Sequence, residues 1–325
     1  MDKILLYNSG GGLGDSIQLF PLILSLQNNF KSSKFYYLGA HDNHFQGKLK
    51  EYNINIKTLD LNLKYFGFRW WHLLVARDRF NRKKLKEIDL IIDLQSKLRN
   101  TMILKRIPSK FFYSSTLNYF LCSKNVKGQV FKKTKNYKND TLLNLKSFLD
   151  NSFKTIKFSI NTISKKYLAE ARRLLPYKNY IGLSLTQGNI YRKKSWSLDN
   201  FIELAIKIKK KDKTPVFFVE KEKTELINKI KNNIPNALFP EHQSKISCPA
   251  LVTALSSRLE KAVSIDNGVM HMISLSNIPM IVLFGPTDSK KFAPKNDKVK
   301  ILDSKKIYNS NDINSITVEE VEKLI

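Results

Sequence analysis

Residues 262–284 constrain the fold more than any other stretch of this chain. Ala262-Val-Ser-Ile265 is a short apolar run, Asp266-Asn-Gly268 is a turn, and Met270 to Ser276 has helical spacing. Pro279-Met-Ile-Val-Leu-Phe284 is a second apolar run, closed by Gly285-Pro-Thr-Asp288. Two such runs, bounded by turn signals and joined through one short helix, read as buried strands of a parallel sheet. The turn at 266–268 opens the helix, where unpaired backbone N–H groups and the helix dipole favour an anion. Ligands of open α/β sheets bind beyond the carboxyl ends of the strands, and both turns fall on that edge.

The rest of the chain alternates in the same way. Ile4–Tyr7, Phe35–Leu38 and Leu90–Leu94 read as strands of a first half. Ser16 to Asn28, Lys97 to Lys105 and Thr141 to Phe153 read as its helices. Tyr65 to Ile88 is a long basic stretch predicted partly helical, and 113–140, without periodicity, reads as a basic loop. After a link at 157–164 the pattern restarts, with strands at 180–185 and 215–219 and helices at 165–175, 198–210, 224–232 and 249–257. Thr317 with Glu320 has the form of a capping box for a final helix. Two α/β units with parallel sheets and a cleft between them are expected, 1–157 and 158–325, the last helix packing back towards the first.

At 325 residues the chain can bury a core in each unit, and 42% hydrophobic content with 11% aromatics is that of a globular protein. No run approaches the roughly 18 to 20 apolar residues of a spanning helix. The opening segment turns polar too early for a signal peptide. Cys122 and Cys248 lack metal-ligand spacing and read as buried thiols of a reducing compartment, which with the preceding points predicts a soluble protein of the cytoplasm. Lys and Arg (56) outnumber Asp and Glu (28), a net charge of +28 that attracts polyanions or reflects coding bias. No nucleic-acid-binding signature accompanies it, so an anionic membrane surface or a phosphorylated acceptor is the expected partner.

Four places carry chemistry. Ser9-Gly-Gly-Gly-Leu-Gly-Asp15 follows a strand and opens a helix, and its glycines, Gly12 and Gly14 among them, let backbone approach a ligand. It is neither a P-loop nor a G-x-G-x-x-G, because Asp15 stands where the last glycine is required. Asp15 is either a carboxylate stabilising a helix start or a general base. Arg192, Lys193 and Lys194 are either a solvated loop or, with Asn267 and Gly268, positive charge and donors for an anionic group. Thr186 and Gln187 could hydrogen-bond the same group. Asp266 is a helix cap or a ligand contact, His271 a supporting hydrogen-bonder, and Glu222, with Glu220 as rival, could accept from a ribose hydroxyl. Asp93, Gln95 and Arg99 follow a strand of the first half and either start a helix or meet an acceptor. Tyr65-Phe-Gly-Phe-Arg-Trp-Trp71 is either core or an interfacial face. The histidines are scattered, so no metal site is expected.

The segments VSIDNGVMHMISLSNIPMIVLFGPTD, GGLGDSIQLFPLILSL, DLIIDLQSKLRN and KKSWSLDNFIELA together resemble glycosyltransferase family 9, the ADP-heptose:lipopolysaccharide heptosyltransferases. The resemblance covers nearly the whole chain and implies a GT-B-type fold with an N-terminal acceptor lobe and a C-terminal nucleotide-sugar lobe. It places Asp15 at the family's proposed catalytic base, Lys194 at its phosphate-binding lysine, and Asp266 against the donor's sugar hydroxyls. Inverting, metal-independent transfer of heptose from ADP-heptose to a lipopolysaccharide-core-like acceptor follows, with no cofactor. So does a peripheral position on the inner membrane's cytoplasmic face. Another donor and glycan on the same fold, or a non-catalytic polyanion-binding protein, are the alternatives.

Overall fold

The structure, a computed structural model, describes residues 1–132, 141–150, 152–187 and 194–325. The chain divides into two compact units, Met1–Phe158 and Ser159–Ile325. Each is built on a five-stranded, all-parallel sheet.

The first unit runs β1 (Lys3–Asn8), α1 (Leu13–Ile17), α2 (Phe20–Asn29), β2 (Lys34–Gly39), β3 (Lys57–Thr58) and α3 (His72–Asn81). It continues through β4 (Ile88–Asp93), α4 (Leu98–Leu104), β5 (Ser109–Ser114) and α5 (Thr141–Leu149). The second opens with α6 (Lys165–Leu174), β6 (Tyr180–Ser184), α7 (Leu198–Lys210), β7 (Thr214–Phe218), α8 (Thr224–Asn233) and α9 (Pro249–Ser256). Then follow β8 (Lys261–Ile265), α10 (Gly268–Leu275), β9 (Met280–Phe284), α11 (Ser289–Phe292), β10 (Val299–Asp303), α12 (Ser304–Tyr308) and α13 (Val318–Glu322).

Strand order is β3-β2-β1-β4-β5 in the first sheet and β10-β9-β8-β6-β7 in the second. Succession reverses between β1 and β4 in one and between β6 and β8 in the other. These are topological switch points, where the loops leaving the two strands diverge and open a crevice. The central strands are buried on both faces, as Ile4–Tyr7, Ile88–Asp93 and Ala262–Ile265 show, so they read as continuous apolar runs rather than alternating ones.

Two expectations need correcting. The helix expected over Ser16–Asn28 is two, because Pro21 lacks an N–H and fits only the first turn of α2. Tyr65–Ile88 is partly helical as expected, with the helix over His72–Asn81. Part of the supposed loop after 113 belongs to β5, whose Phe112 to Ser114 are buried. The final helix is anchored in its own unit: α13 packs on α7, and Val318 and Val321 belong to that unit's core. Its capping box is present, with the Glu320 N–H donating to Thr317 Oγ1 at 3.3 Å and the Thr317 N–H donating to Glu320 Oε2 at 2.8 Å.

Both cysteines are free and half-buried. Burial pushes the Cys122 thiol up to about 11, against hydrogen bonding with Ser114, so it is not a thiolate at neutral pH.

Candidate active site

At the β6/β8 switch point the polar residues interlock. Asn267 caps α10, its Oδ1 accepting from the Met270 N–H at 2.7 Å. Its Nδ2 donates to Ser184 Oγ and to the Thr186 carbonyl, both at 2.8 Å, which bridges the loops leaving β6 and β8. Asn267, not Asp266, is therefore the helix cap, and both N–H groups of its side-chain amide are already engaged. Asp266 is freed for another partner. Lys194 Nζ donates to Asp266 Oδ2 at 2.8 Å and to the Asp266 carbonyl at 3.1 Å. Both side chains are largely buried.

Local sequence explains why Lys194 is held there. Two residues on, Trp196 is buried, donates Nε1 to the Ile316 carbonyl at 2.8 Å and meets Phe201 edge-on. Ser197 then caps α7 through the Asn200 N–H at 3.1 Å. Behind Lys194, its own N–H donates to Gln187 Oε1 at 2.8 Å. A cation beside the positive end of α10 is unfavourable unless carboxylate or phosphate balances it. Asp266 supplies that balance, and Gly268, where an added Cβ would meet nothing within 4 Å, keeps the helix start open. Thr186 and Thr287 leave the flanking strands β6 and β9 with buried hydroxyls that have no hydrogen-bond partner among the described residues. The crevice thus sets a balanced Lys194–Asp266 pair beside the open start of α10, where backbone N–H groups favour an anion.

At the β1/β4 switch point the bridge is neutral. Asn8 Oδ1 accepts from the Gly10 N–H at 3.0 Å and from Gln95 Nε2 at 2.6 Å, which ties the glycine loop to the β4 loop. Gly12 caps α1, and its N–H donates to Asp15 Oδ2 at 3.2 Å. Asp15 is half-buried in the first turn, so its helix-start role is realised, although that role uses only one oxygen in this bond. The glycines are required by space. A Cβ on Gly10 would lie 2.8 Å from Asp15 Cβ, and one on Gly11 would lie 2.7 Å from the His41 ring. Burial, partly offset by hydrogen bonding with Asn8, pushes the neighbouring Tyr37 hydroxyl up to about 12, so it stays protonated and neutral.

Asp93 is a correction. It is 1% exposed, its Oδ1 accepts from the N–H groups of Gln95 and Ser96, and its Oδ2 accepts from Thr101 and Ser114. It shapes the loop and cannot meet an acceptor. Gln95 and Arg99 remain half-buried at the edge. Arg99 Nε donates to the Gly67 carbonyl at 2.9 Å, and its guanidinium lies 5.8 Å from the Phe68 ring centre.

The sequence profile of glycosyltransferase family 9 (heptosyltransferase) matches residues 79–321. The chain belongs to glycosyltransferase family 9. No protein of curated function matches it by sequence. The fold is that of the family's solved members. A glycosyl transferase family 9 protein from Veillonella parvula DSM 2008 superposes with a TM-score of 0.68 at 15% identity, covering 100% of this chain and 96% of that one. E. coli heptosyltransferase WaaC with ADP gives 0.67 at 13%, covering 99% and 98%. E. coli ADP-heptose lps heptosyltransferase II gives 0.62 at 14%, covering 99% and 97%. This family 9 chain is a glycosyltransferase with two Rossmann-like α/β units of the GT-B type.

In this family 9 chain the structure gathers Thr186, Gln187, Lys194, Asp266, Asn267 and Gly268 at one switch point and Gly12, Asp15, Gln95 and Arg99 at the other. His271 is buried on α10 and Gly14 lies within α1. Glu222 and Glu220 are exposed after β7, outside the interlocked group, and Glu220 faces the half-buried Glu241. Arg192 and Lys193 lie outside the described residues. Among the described residues no group of His, Cys, Asp and Glu could hold a metal ion, and no helix is long and apolar enough to cross a membrane. Asn8, Ser184 and Thr287 went unread, because one amide or hydroxyl per loop has no sequence periodicity to reveal it.

Proposed function

We propose that this protein transfers heptose from ADP-heptose to a lipopolysaccharide-core-like acceptor, with inversion at the anomeric carbon and without a metal ion. The observation that carries the reading is the Lys194–Asp266 pair, fixed between β6 and β8 at the start of α10. A lysine at that position lies ready to neutralise a departing diphosphate, with the backbone at Gly268 adding donors. One family relative supports the choice of donor, since WaaC of E. coli has been solved with ADP and with ADP-2-deoxy-2-fluoro heptose.

In the reaction an acceptor hydroxyl oxygen attacks the anomeric carbon while the bond from that carbon to the β-phosphate oxygen breaks. ADP leaves with the electron pair, and the hydroxyl proton passes to the Asp15 carboxylate. Lys194, Thr186 and Gln187 hold the phosphates, joined by Arg192 and Lys193. Asp266 accepts from the sugar hydroxyls while still paired with Lys194, Glu222 accepts from the ribose, and His271 supports the α10 wall. Gln95 and Arg99 meet the acceptor. The enzyme works as a peripheral protein on the cytoplasmic face of the inner membrane, where a lipid-linked acceptor is presented.

A thermal-shift comparison of ADP, GDP, UDP and CMP tests the donor. A ligand at 100 times its Kd adds about 2.7 kcal/mol of stability, so ADP alone should raise the melting temperature visibly. A clear preference for UDP or GDP would reject ADP-heptose and point to another sugar donor on the same fold.

A further inference from the structure

The segment between β3 and β4 presents an apolar surface that the catalytic reading leaves unused. Trp70 is 59% exposed, Trp71 53% and Leu74 76%, and Tyr65 and Phe68 lie open beside them. On α3 the buried positions are His72, Ala76 and Phe80, so Trp70, Leu74 and Arg77 follow one another along the opposite, solvated side. Large aromatic side chains side by side in water are unusual and mark a surface that meets an apolar phase or a partner.

This surface is held, not loose. The Tyr7 hydroxyl donates to the Phe66 carbonyl at 2.9 Å, the Gly67 N–H donates to His72 Nδ1 at 3.1 Å, and Arg99 grips the Gly67 carbonyl. Gly67 has φ +87, and a Cβ there would come within 2.2 Å of the Tyr7 oxygen, so the turn admits only glycine. The exposed aromatics therefore sit on a rigid base tied to β1. They also continue to the glycine loop, since the His41 ring lies 5.7 Å from Tyr65 and would meet a Cβ on Gly11.

Charge identifies the occupant. Between residues 64 and 86 there are eight Lys or Arg and one Asp. Arg69, Arg77, Arg82, Lys83, Lys84 and Lys86 are exposed. Tryptophan favours the boundary between lipid and water, because its ring is apolar and its N–H wants a polar partner. Lysine and arginine beside it add attraction to anionic headgroups. We propose that Trp70, Trp71 and Leu74, with the surrounding basic residues, form the face that seats this enzyme on an anionic phospholipid bilayer and so sets the Asp15 loop at the lipid surface. The proposal rests on the reading of the acceptor as lipid-linked.

The chain carries its own probe. Of its three tryptophans only Trp196 is buried, at 2% exposure, so a change in emission on lipid binding reports Trp70 and Trp71. The full-length protein is mixed with phosphatidylcholine vesicles with and without phosphatidylglycerol. The expected result is binding to the anionic vesicles, a blue shift, quenching by lipids brominated in the acyl chain, and weakening as salt rises. Trp70→Ser with Leu74→Ser should lower partitioning at least tenfold, and each of Arg77→Ser and Arg82→Ser about fivefold.

Binding with no emission change, or binding untouched by the double variant, would overturn the assignment to this face. Displacement from vesicles by an oligonucleotide that itself quenches the tryptophans equally would overturn it in favour of a general polyanion site. Transfer to a soluble, deacylated acceptor separates the two readings. The double variant should transfer to it as the wild type does. If the wild type transfers to no acceptor, the glycosyl-transfer assignment to this substrate fails, while the vesicle result still decides the face.

Discussion

The crevice of the N-terminal unit is spanned by two amides, Asn8 and Gln95, whereas that of the C-terminal unit is spanned by an ion pair, Lys194 and Asp266. Both units use parallel sheets that reverse strand succession at one point, yet the groups placed there differ in kind. Beside this neutral bridge the Asp15 carboxylate makes no ion pair among the described residues. A buried lysine beside the start of a helix is costly unless it is paired, and Asp266 pairs it. On the proposed reading, the same scaffold would prepare one crevice to take a proton and the other to take a phosphate. Surface chemistry divides the units too: the first carries the exposed Trp70 and Trp71, while Trp196 of the second unit is a buried anchor behind Lys194.

The sharpest way to break this division is Asp15→Asn. The amide oxygen can still accept from the Gly12 N–H, so α1 should keep its cap. Proton removal is lost, and turnover should fall by about 10² to 10⁴-fold. Donor affinity, belonging to the other unit, should stay within a few-fold by calorimetry. Wild-type turnover in Asp15→Asn would show that Asp15 only starts a helix.

Lys194→Ala attacks the other side. Loss of a charged hydrogen bond to phosphate should weaken ADP by roughly 10- to 100-fold in a calorimetric titration. It also strands the buried Asp266 carboxylate, so the second unit should lose on the order of 3 kcal/mol. Asp266→Asn on the Lys194→Ala background should restore much of that stability without restoring ADP affinity. Unchanged ADP binding in Lys194→Ala would remove the phosphate role.

The strands at the centre of both sheets were legible because burial on both faces makes them continuous apolar runs. β3 and β10 were not. β3 is two exposed residues, Lys57 and Thr58, and β10 at a sheet edge carries Lys300 on an open face. Edge strands take charge to discourage pairing with other chains, and that charge erases the pattern that reveals a strand. The same logic governs the sites. Asp15, Lys194 and Asp266 stood out because charge next to a turn is informative. Asp93 looked equivalent in sequence, but only the fold shows four donors closing around it. Asn267 similarly looked like a ligand contact and is a cap with a bridge.

The smallest expected effect contrasts the units by pH. In the N-terminal unit burial raises the Asp89 carboxyl. Hydrogen bonds from Lys110 and from the Asp2 and Lys3 N–H groups outweigh this and bring it down to about 2. Its folded value is below its unfolded one, so its stabilisation is present above pH 4 and lost as pH falls towards 2. In the C-terminal unit burial pushes the Glu241 carboxyl up to about 7, helped by the charge of Glu220 and opposed by the Ser247 hydroxyl. Its folded value is above its unfolded one, so stability is full below about pH 4.5 and declines as pH rises through 7. Hydrogen exchange read separately on residues 1–158 and 159–325 should show the two trends opposed. Asp89→Asn should cost the first unit about 1 to 2 kcal/mol at pH 7 and almost nothing near pH 2. Glu241→Gln should protect the second unit by about 1 to 3 kcal/mol at pH 8 and leave it unchanged at pH 4. A C-terminal unit whose protection does not fall between pH 4.5 and 8 would mean that Glu241 relaxes to water, and the opposition between the units would then rest on their crevices alone.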